Sequence, residues 1–188
     1  IATAEQLAKL AKEVNSGVGG QTHNNEWFVL ADDIDLSAHR WIPIGSGSVN
    51  SSFHSFGGYF DGNDKTITGL YVDESSEHFS AGLFGNFTGY LIKDLTVSNA
   101  YVKTAFSGSD DQSNESAGIL IGSAAQGYGM SISVQNCHVS GTVETEGGRA
   151  CAGGLVGYAS YADFMDCSAD VTVRGSGKSG GFIGEAFE

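Results

Sequence analysis

Leu7, Ala8, Leu10, Ala11 and Val14 recur at the spacing of one helical face, with polar residues filling the positions between them. Thr3-Ala4-Glu5-Gln6 stands before this stripe as a capping box, in which the Thr3 hydroxyl accepts from the Gln6 amide and the Gln6 side chain answers. Asn15-Ser16-Gly17 supplies the stop. The pattern predicts a helix over 4–15. Its stripe is small and one-sided, so the helix must lie on something. The expectation is a cap over one end of a core; a partner-binding helix is the alternative.

Beyond residue 17 the period shortens. WFVL (27–30), IDL (34–36), WIPI (41–44), GGYF (57–60) and TITGLYV (66–72) are short, rich in β-formers and punctuated by Asp, Asn, Gly and Ser. They predict strands. Two polar inserts, 45–55 and 103–116, read as surface loops.

Superposing the segments exposes a repeat. Ile67–Val72, Ile92–Val97, Val134–Val139 and Phe164–Ala169 all place apolar residues at positions one, four and six. A plain strand alternates with period two, and here the inward set skips a beat at position three. That position is Gly69, Asp94, Asn136 or Asp166, residue types that tolerate a left-handed bend. Two short strands meeting at a bend are expected, with Ile67, Ile92, Val134 and Phe164 in one interior row and Leu70, Leu95, Cys137 and Cys167 in another. The uneven spacing of these segments suits a solenoid whose loops leave at one corner. A second repeat frames a small hydrophobic pair with glycine: Gly82-Leu83-Phe84-Gly85, Gly118 to Gly122, Gly154-Leu155-Val156-Gly157 and Gly181-Phe182-Ile183-Gly184. In stacked coils about 4.8 Å apart, small residues admit tight turns while the pair between them fills the interior. A phosphate-binding glycine loop needs a helix behind it, and none is predicted there.

Composition supports the all-β reading. Of 188 residues, 28 are glycine, one is proline and 16% are charged, which disfavours a helical bundle. Nine Lys and Arg against 22 Asp and Glu give a net charge of −13. Nucleic acid needs basic surface and is excluded as a partner. An acidic surface favours solubility and tolerates calcium. No apolar run approaches the roughly 20 residues of a membrane span. Three cysteines cannot make a complete disulfide framework, and without a CxxC or Cys/His cluster zinc is disfavoured. No cofactor is implied.

AGLFG (81–85), AGGLVG (152–157) and GGFIG (180–184) resemble the GLUG motif of bacterial secreted and cell-surface proteins. VQNCHVSGTV (134–143) and FMDCSADVTV (164–173) resemble the second half of that repeat. The front end is similar to modules attached to immunoglobulin-A-cleaving surface metalloproteases. The resemblance implies a right-handed parallel β-helix of about five coils, with residues 1–17 as an N-terminal capping helix and 18–188 as the β-helix domain. It also implies an extracellular or cell-surface location. Two departures stand out. Gly118 to Gly122 carries one extra residue, so that rung is expected to be distorted. The chain also ends inside a fourth motif and starts at Ile1, so the natural protein is expected to continue.

Candidate chemistry is sparse. Asp61, Asn63 and Asp64, like Asp32, Asp33 and Asp35, could pair as acid and base or hold calcium, but Asp-Gly-Asn more simply makes a turn. Arg40, Arg149 and Arg174 lie in separate units, and the five histidines (23, 39, 54, 78 and 138) are dispersed, with His138 in an outward slot. Gly45-Ser46-Gly47-Ser48 has the composition of a nucleophile elbow but lies in an insert. Cys137 and Cys167 share an inward slot on neighbouring units. An unbonded packing ladder is preferred to a disulfide there, because Leu70 and Leu95 fill the same slot. Asn50, Asn86 and Asn114 match the glycosylation pattern by chance in a Ser-rich chain.

Three function classes follow. A non-catalytic surface, adhesion or spacer module is best supported, with a host or matrix protein or glycan as partner. Recognition is expected on the inserts, with Phe53, Phe106, Asp110 and Asp111 as contact residues. A polysaccharide lyase or hydrolase on a β-helix scaffold comes second. An ice-binding solenoid comes third, because Thr is too irregular for a flat ladder.

Overall fold

The computed structural model describes residues 1–17, 23–46, 54–74, 80–105, 115–126, 130–146 and 149–187. Helix α1 (Ala4–Ser16) begins where Thr3 accepts from the Gln6 amide at 3.3 Å and ends at Gly17, which takes the left-handed conformation at φ 57°. The Gln6 side chain answers one residue earlier than a capping box requires, accepting from the Ala2 amide at 2.7 Å. Leu7, Leu10, Ala11 and Val14 are buried; Ala8 is exposed, so the stripe is narrower than the sequence suggests.

All the described strand pairs are parallel. The chain visits three sheets in turn. The first holds β1 (Trp27–Val29), β2 (Ile34–Asp35), β3 (Tyr59–Thr68), β4 (Tyr71–Glu74), β7 (Leu91–Thr104), β10 (Ile132–Thr145), β13 (Ala162–Met165) and β14 (Ser168–Gly175). The second holds the short strands β5 (Ser80–Ala81), β8 (Ser116–Ala117), β11 (Cys151–Gly153) and β15 (Lys178–Gly180). The third holds β6 (Phe84–Phe87), β9 (Ile121–Ala125), β12 (Val156–Ser160) and β16 (Ile183–Phe187). Each long strand is followed by one short strand from each of the other sheets, then by the next long strand. Among the described residues no sheet closes on itself, and the fold is a β-helix-like parallel stack.

Registers test the repeat directly. Ile92 pairs with Val134 and Val134 with Phe164, as the superposition expects, and Leu95 pairs with Cys137. Ile67 does not join that row. It pairs with Val97, and Phe60 takes the place opposite Ile92. The reason is a second corner, between β3 and β4 and again within β7 and β10. Asp94, Asn136 and Asp166 make the first bend, at φ 52°, 48° and 52°. Gly69, Asn99 and Gly141 make the next, at φ 70°, 51° and 148°. Residues 67–72 are therefore the counterpart of 97–102, which carry the same one-four-six pattern, and Tyr71 and Val72 pair with Tyr101 and Val102.

WIPI (41–44) makes no strand; Ile44 forms a single bridge to Phe84, and Pro43 has no N–H to offer a ladder. The distortion expected at Gly118–Gly122 is absent. Ala117 and Ile121 pair with Ala152 and Val156 at equal separation, so Gly118 stands opposite Gly153 and the fully buried Ile119 replaces Gly154. It is 81–85 that is one residue shorter, since Ala81 and Phe84 pair with Ala117 and Ile121.

The interior is one continuous cluster. Phe56, Phe60, Phe84 and Phe87 are completely buried, with neighbouring ring centroids 5.2–5.9 Å apart. Each buried phenylalanine is worth about 1.5–3 kcal/mol in area alone. The helix joins this core beside the β1–β2 edge. Asn15 fixes it there, donating to the Pro43 carbonyl and accepting from the amides of Gly45 and Ser46, all at 2.9 Å. At the opposite edge Phe164, Ala169, Val171, Val173, Phe182 and Ile183 are only partly buried.

Candidate recognition surface

Parallel stacking turns every outward position into a column. Asp73, Lys103, Glu144 and Arg174 fall in one such column, alternating in charge. Arg174 Nη1 reaches Glu144 at 2.7 Å, and Tyr101 donates its hydroxyl to the same carboxylate at 2.9 Å. Both contacts hold the Glu144 carboxyl below its ordinary pKa, Arg174 the more strongly. Trp27, Tyr59 and Tyr90 stack with centroids 4.7 and 5.6 Å apart, as do Tyr71 and Tyr101 at 5.6 Å. None of these columns was visible in the sequence. Aligning 67–72 with 97–102 would have superposed Tyr71 on Tyr101.

Asp61, Asp33 and Asp35 each face a protein donor. Asp61 lies within β3, where the register to β7 shifts, with Asn63 and Asp64 at φ 50° and 56°. The Asp-Gly-Asn stretch is thus a bulge inside a strand and not a turn between strands. The Asp61 carboxylate accepts from Lys93 and from the Asn63 amide, both at 2.8 Å, and Asn63 Nδ2 donates to the Leu30 carbonyl at 3.0 Å. Lys93 also donates to Asp94 at 2.8 Å, and the two carboxylates hold its pKa well above the usual lysine value. Asp94 is held low by Lys93 first, then by Asn136. Asp33 accepts from the Thr66 amide at 2.7 Å, and Asp35 from the Ser37 amide at 2.8 Å. Among the described residues no group of three or more His, Cys, Asp or Glu is arranged to hold a metal ion.

Arg40 donates to the Asp73 carbonyl at 3.1 Å, far along the chain from the Arg174–Glu144 pair. His138 is exposed and contacts Ser168 and Asn136 at 2.8 and 3.2 Å. Asn86 is held by the Ser80 hydroxyl at 2.9 Å inside the stack. Between α1 and segment 35–46 runs an open groove of about 820 Å³, floored by Ala8, Trp41 and Ile42, where the exposed Ala8 lies.

The recognition candidates Phe53, Phe106, Asp110 and Asp111 lie outside the described residues; the stems of both inserts lie within them. His54 donates its amide to the Ser46 carbonyl at 3.3 Å. Thr104 donates its hydroxyl to Glu115 at 3.4 Å, and both residues are buried. Glu115 in turn takes the Cys151 amide on its carbonyl at 2.7 Å. Each insert therefore leaves and rejoins the stack at adjacent points.

The glycines explain the other repeat. A β-carbon on Gly157 would lie 2.5 Å from the Ala117 amide nitrogen and 2.7 Å from the Gly122 carbonyl oxygen; one on Gly184 would lie 2.6 Å from the Gly157 carbonyl. The motif keeps glycine where the backbone of the neighbouring rung comes too close for any side chain. At Gly181 a β-carbon would meet nothing.

Comparison with known proteins agrees with this geometry. The GLUG motif matches residues 148–174. Halomucin of Haloquadratum walsbyi is 33% identical over 166 residues, covering 86% of this chain and 2% of the halomucin sequence. A crystal structure of a candidate immunoglobulin A1 protease from Bacteroides ovatus superposes on the whole chain with a TM-score of 0.59 at 17% identity. The match spans 61% of that structure, and at this identity it speaks for the fold alone.

Proposed function

Starting from a chain that carries the GLUG motif on a parallel β-helix-like scaffold, we propose that it is a non-catalytic cell-surface module that presents loops and outer faces for recognition. We read the stack as a right-handed solenoid of about five coils, with residues 1–17 as its cap and 18–188 as the β-helix domain. The likeness to halomucin supports a surface setting, and the wider protein would supply further domains. The observation that carries the reading is the pinned stem of each insert. Ser46 meets His54, and Thr104 meets Glu115, so residues between them can vary without disturbing the stack. Phe53, Phe106, Asp110 and Asp111 are the proposed contact residues. The absence of turnover is supported by the engagement of Asp61 and Asp94 with the single Lys93 between them and of Glu144 with Arg174 in another column, which occupies these carboxylates with protein cations.

The test has two arms. The chain is incubated with pectins, mucin glycans and other acidic polysaccharides, and products are assayed. It is then screened for binding beside a variant with both inserts shortened. No product and loss of binding on shortening are expected. Release of reducing ends or unsaturated sugars would end the non-enzyme reading, and full binding by the shortened variant would move recognition to the coil faces.

A further inference from the structure

Cys137 and Cys167 stand opposite one another. The β10–β13 register runs to Gln135 with Met165, and the β10–β14 register resumes at His138 with Ser168. Both sulfurs are placed alike. Cys137 Sγ lies 3.2 Å from the Gln135 carbonyl and 3.8 Å from that of Ile92; Cys167 Sγ lies 3.2 Å from the Met165 carbonyl and 3.4 Å from that of Val134. Parallel neighbours sit about 4.8 Å apart, inside the roughly 4.4–6.8 Å span of Cα atoms that a disulfide bridges.

We propose that this pair, read from the sequence as an unbonded ladder, is instead an oxidation site at which an inter-strand disulfide ties β13 and β14 to β10. Cys137 is sealed in the core, whereas Cys167 is partly exposed. A covalent bridge would add to the β10–β14 pairing and to the Arg174–Glu144 ion pair that already join these strands.

The oxidant is a small-molecule disulfide. Cys167 is the accessible thiol, and the neighbouring Cys137 thiol draws its pKa down to about 7, which favours the attacking thiolate. Its sulfur attacks the oxidant, breaking the S–S bond and releasing one thiolate, which takes a proton. Cys137, held high by the same thiol contact and by burial, then loses its proton and attacks Cys167 Sγ, expelling the second thiolate. Two protein thiols are oxidised and one disulfide is reduced to two thiols. Cys151 stays apart. It is buried in β11, bonded to Glu185, and burial with that carboxylate pushes its thiol up to about 12.

The full chain with Cys151→Ser is treated, folded, with excess oxidised glutathione at about pH 8, where the thiolate fraction is high. Intact mass should fall by two hydrogens, peptide mapping should link Cys137 to Cys167, and Tm should rise by several degrees until dithiothreitol is added. The three-cysteine chain serves equally if the variant folds poorly, since mapping identifies the pair. Unchanged mass, a persistent glutathione adduct on Cys167, or a bridge formed only in denaturant would overturn the proposal.

Discussion

Gly157 closes one glycine-framed pair and Gly181 opens another, and the stack treats these two motif glycines differently. A methyl group on Gly157 would drive into the backbone at Ala117 and Gly122, whereas one on Gly181 would meet open space. Neither has a φ in the left-handed region, so crowding decides. Gly157→Ala should therefore cost about 1–3 kcal/mol, the range for overpacking a filled core. Gly181→Ala should stay within about 0.5 kcal/mol. Urea unfolding of both variants checks this, and equal losses would remove the close-approach explanation. Asp94 adds a charge effect. Its depressed pKa means that its contribution is present above the ordinary carboxylate range and lost as pH falls through the lowered value. The urea midpoint should drop on acidification below about pH 4, and Asp94→Asn, which keeps the left-handed bend, should flatten part of that drop. An identical pH profile in the variant would show that the Lys93 contact does no such work.

At the scale of elements, the helix matters through what it holds. The Asn15 side chain carries three hydrogen bonds to segment 43–46, close to the stem of the first insert. Asn15→Ala should cost about 1–3 kcal/mol through the backbone groups left unpaired, measured as a shift in the urea midpoint. Deleting residues 1–17 should expose the β1–β2 edge and yield oligomers on size-exclusion chromatography; a monodisperse monomer would contradict the capping role. The helix and the first corners were legible because capping and left-handed bends are local chemistry, written in Thr3, Gly17, Asp94, Asn136 and Asp166. The row containing Ile67 was not. Strand β7 turns twice, at Asp94 and Asn99, and its two halves, 92–97 and 97–102, carry the same apolar pattern, so superposition alone could not choose between them. Only the hydrogen-bonded register does. The outward columns escaped for the same reason, since Asp73, Lys103, Glu144 and Arg174 become neighbours only once the rungs are in register.

For the whole molecule, function and fold rest on one arrangement. If rungs stack in parallel with these registers, the repeated residues are spent on packing, and recognition is left to inserts and outer columns. A row of aliphatic side chains tests that arrangement without reference to any ligand: Ile34 beside Ile67, Ile67 beside Val97, Val97 beside Val139, and Val139 beside Ala169. Methyl–methyl nuclear Overhauser contacts in a methyl-labelled chain read this order directly. The account predicts cross-peaks along that row and between Ile92 and Val134, with none between Ile67 and Ile92. Cross-peaks joining Ile67 to Ile92, or a set that orders the strands antiparallel, would contradict it.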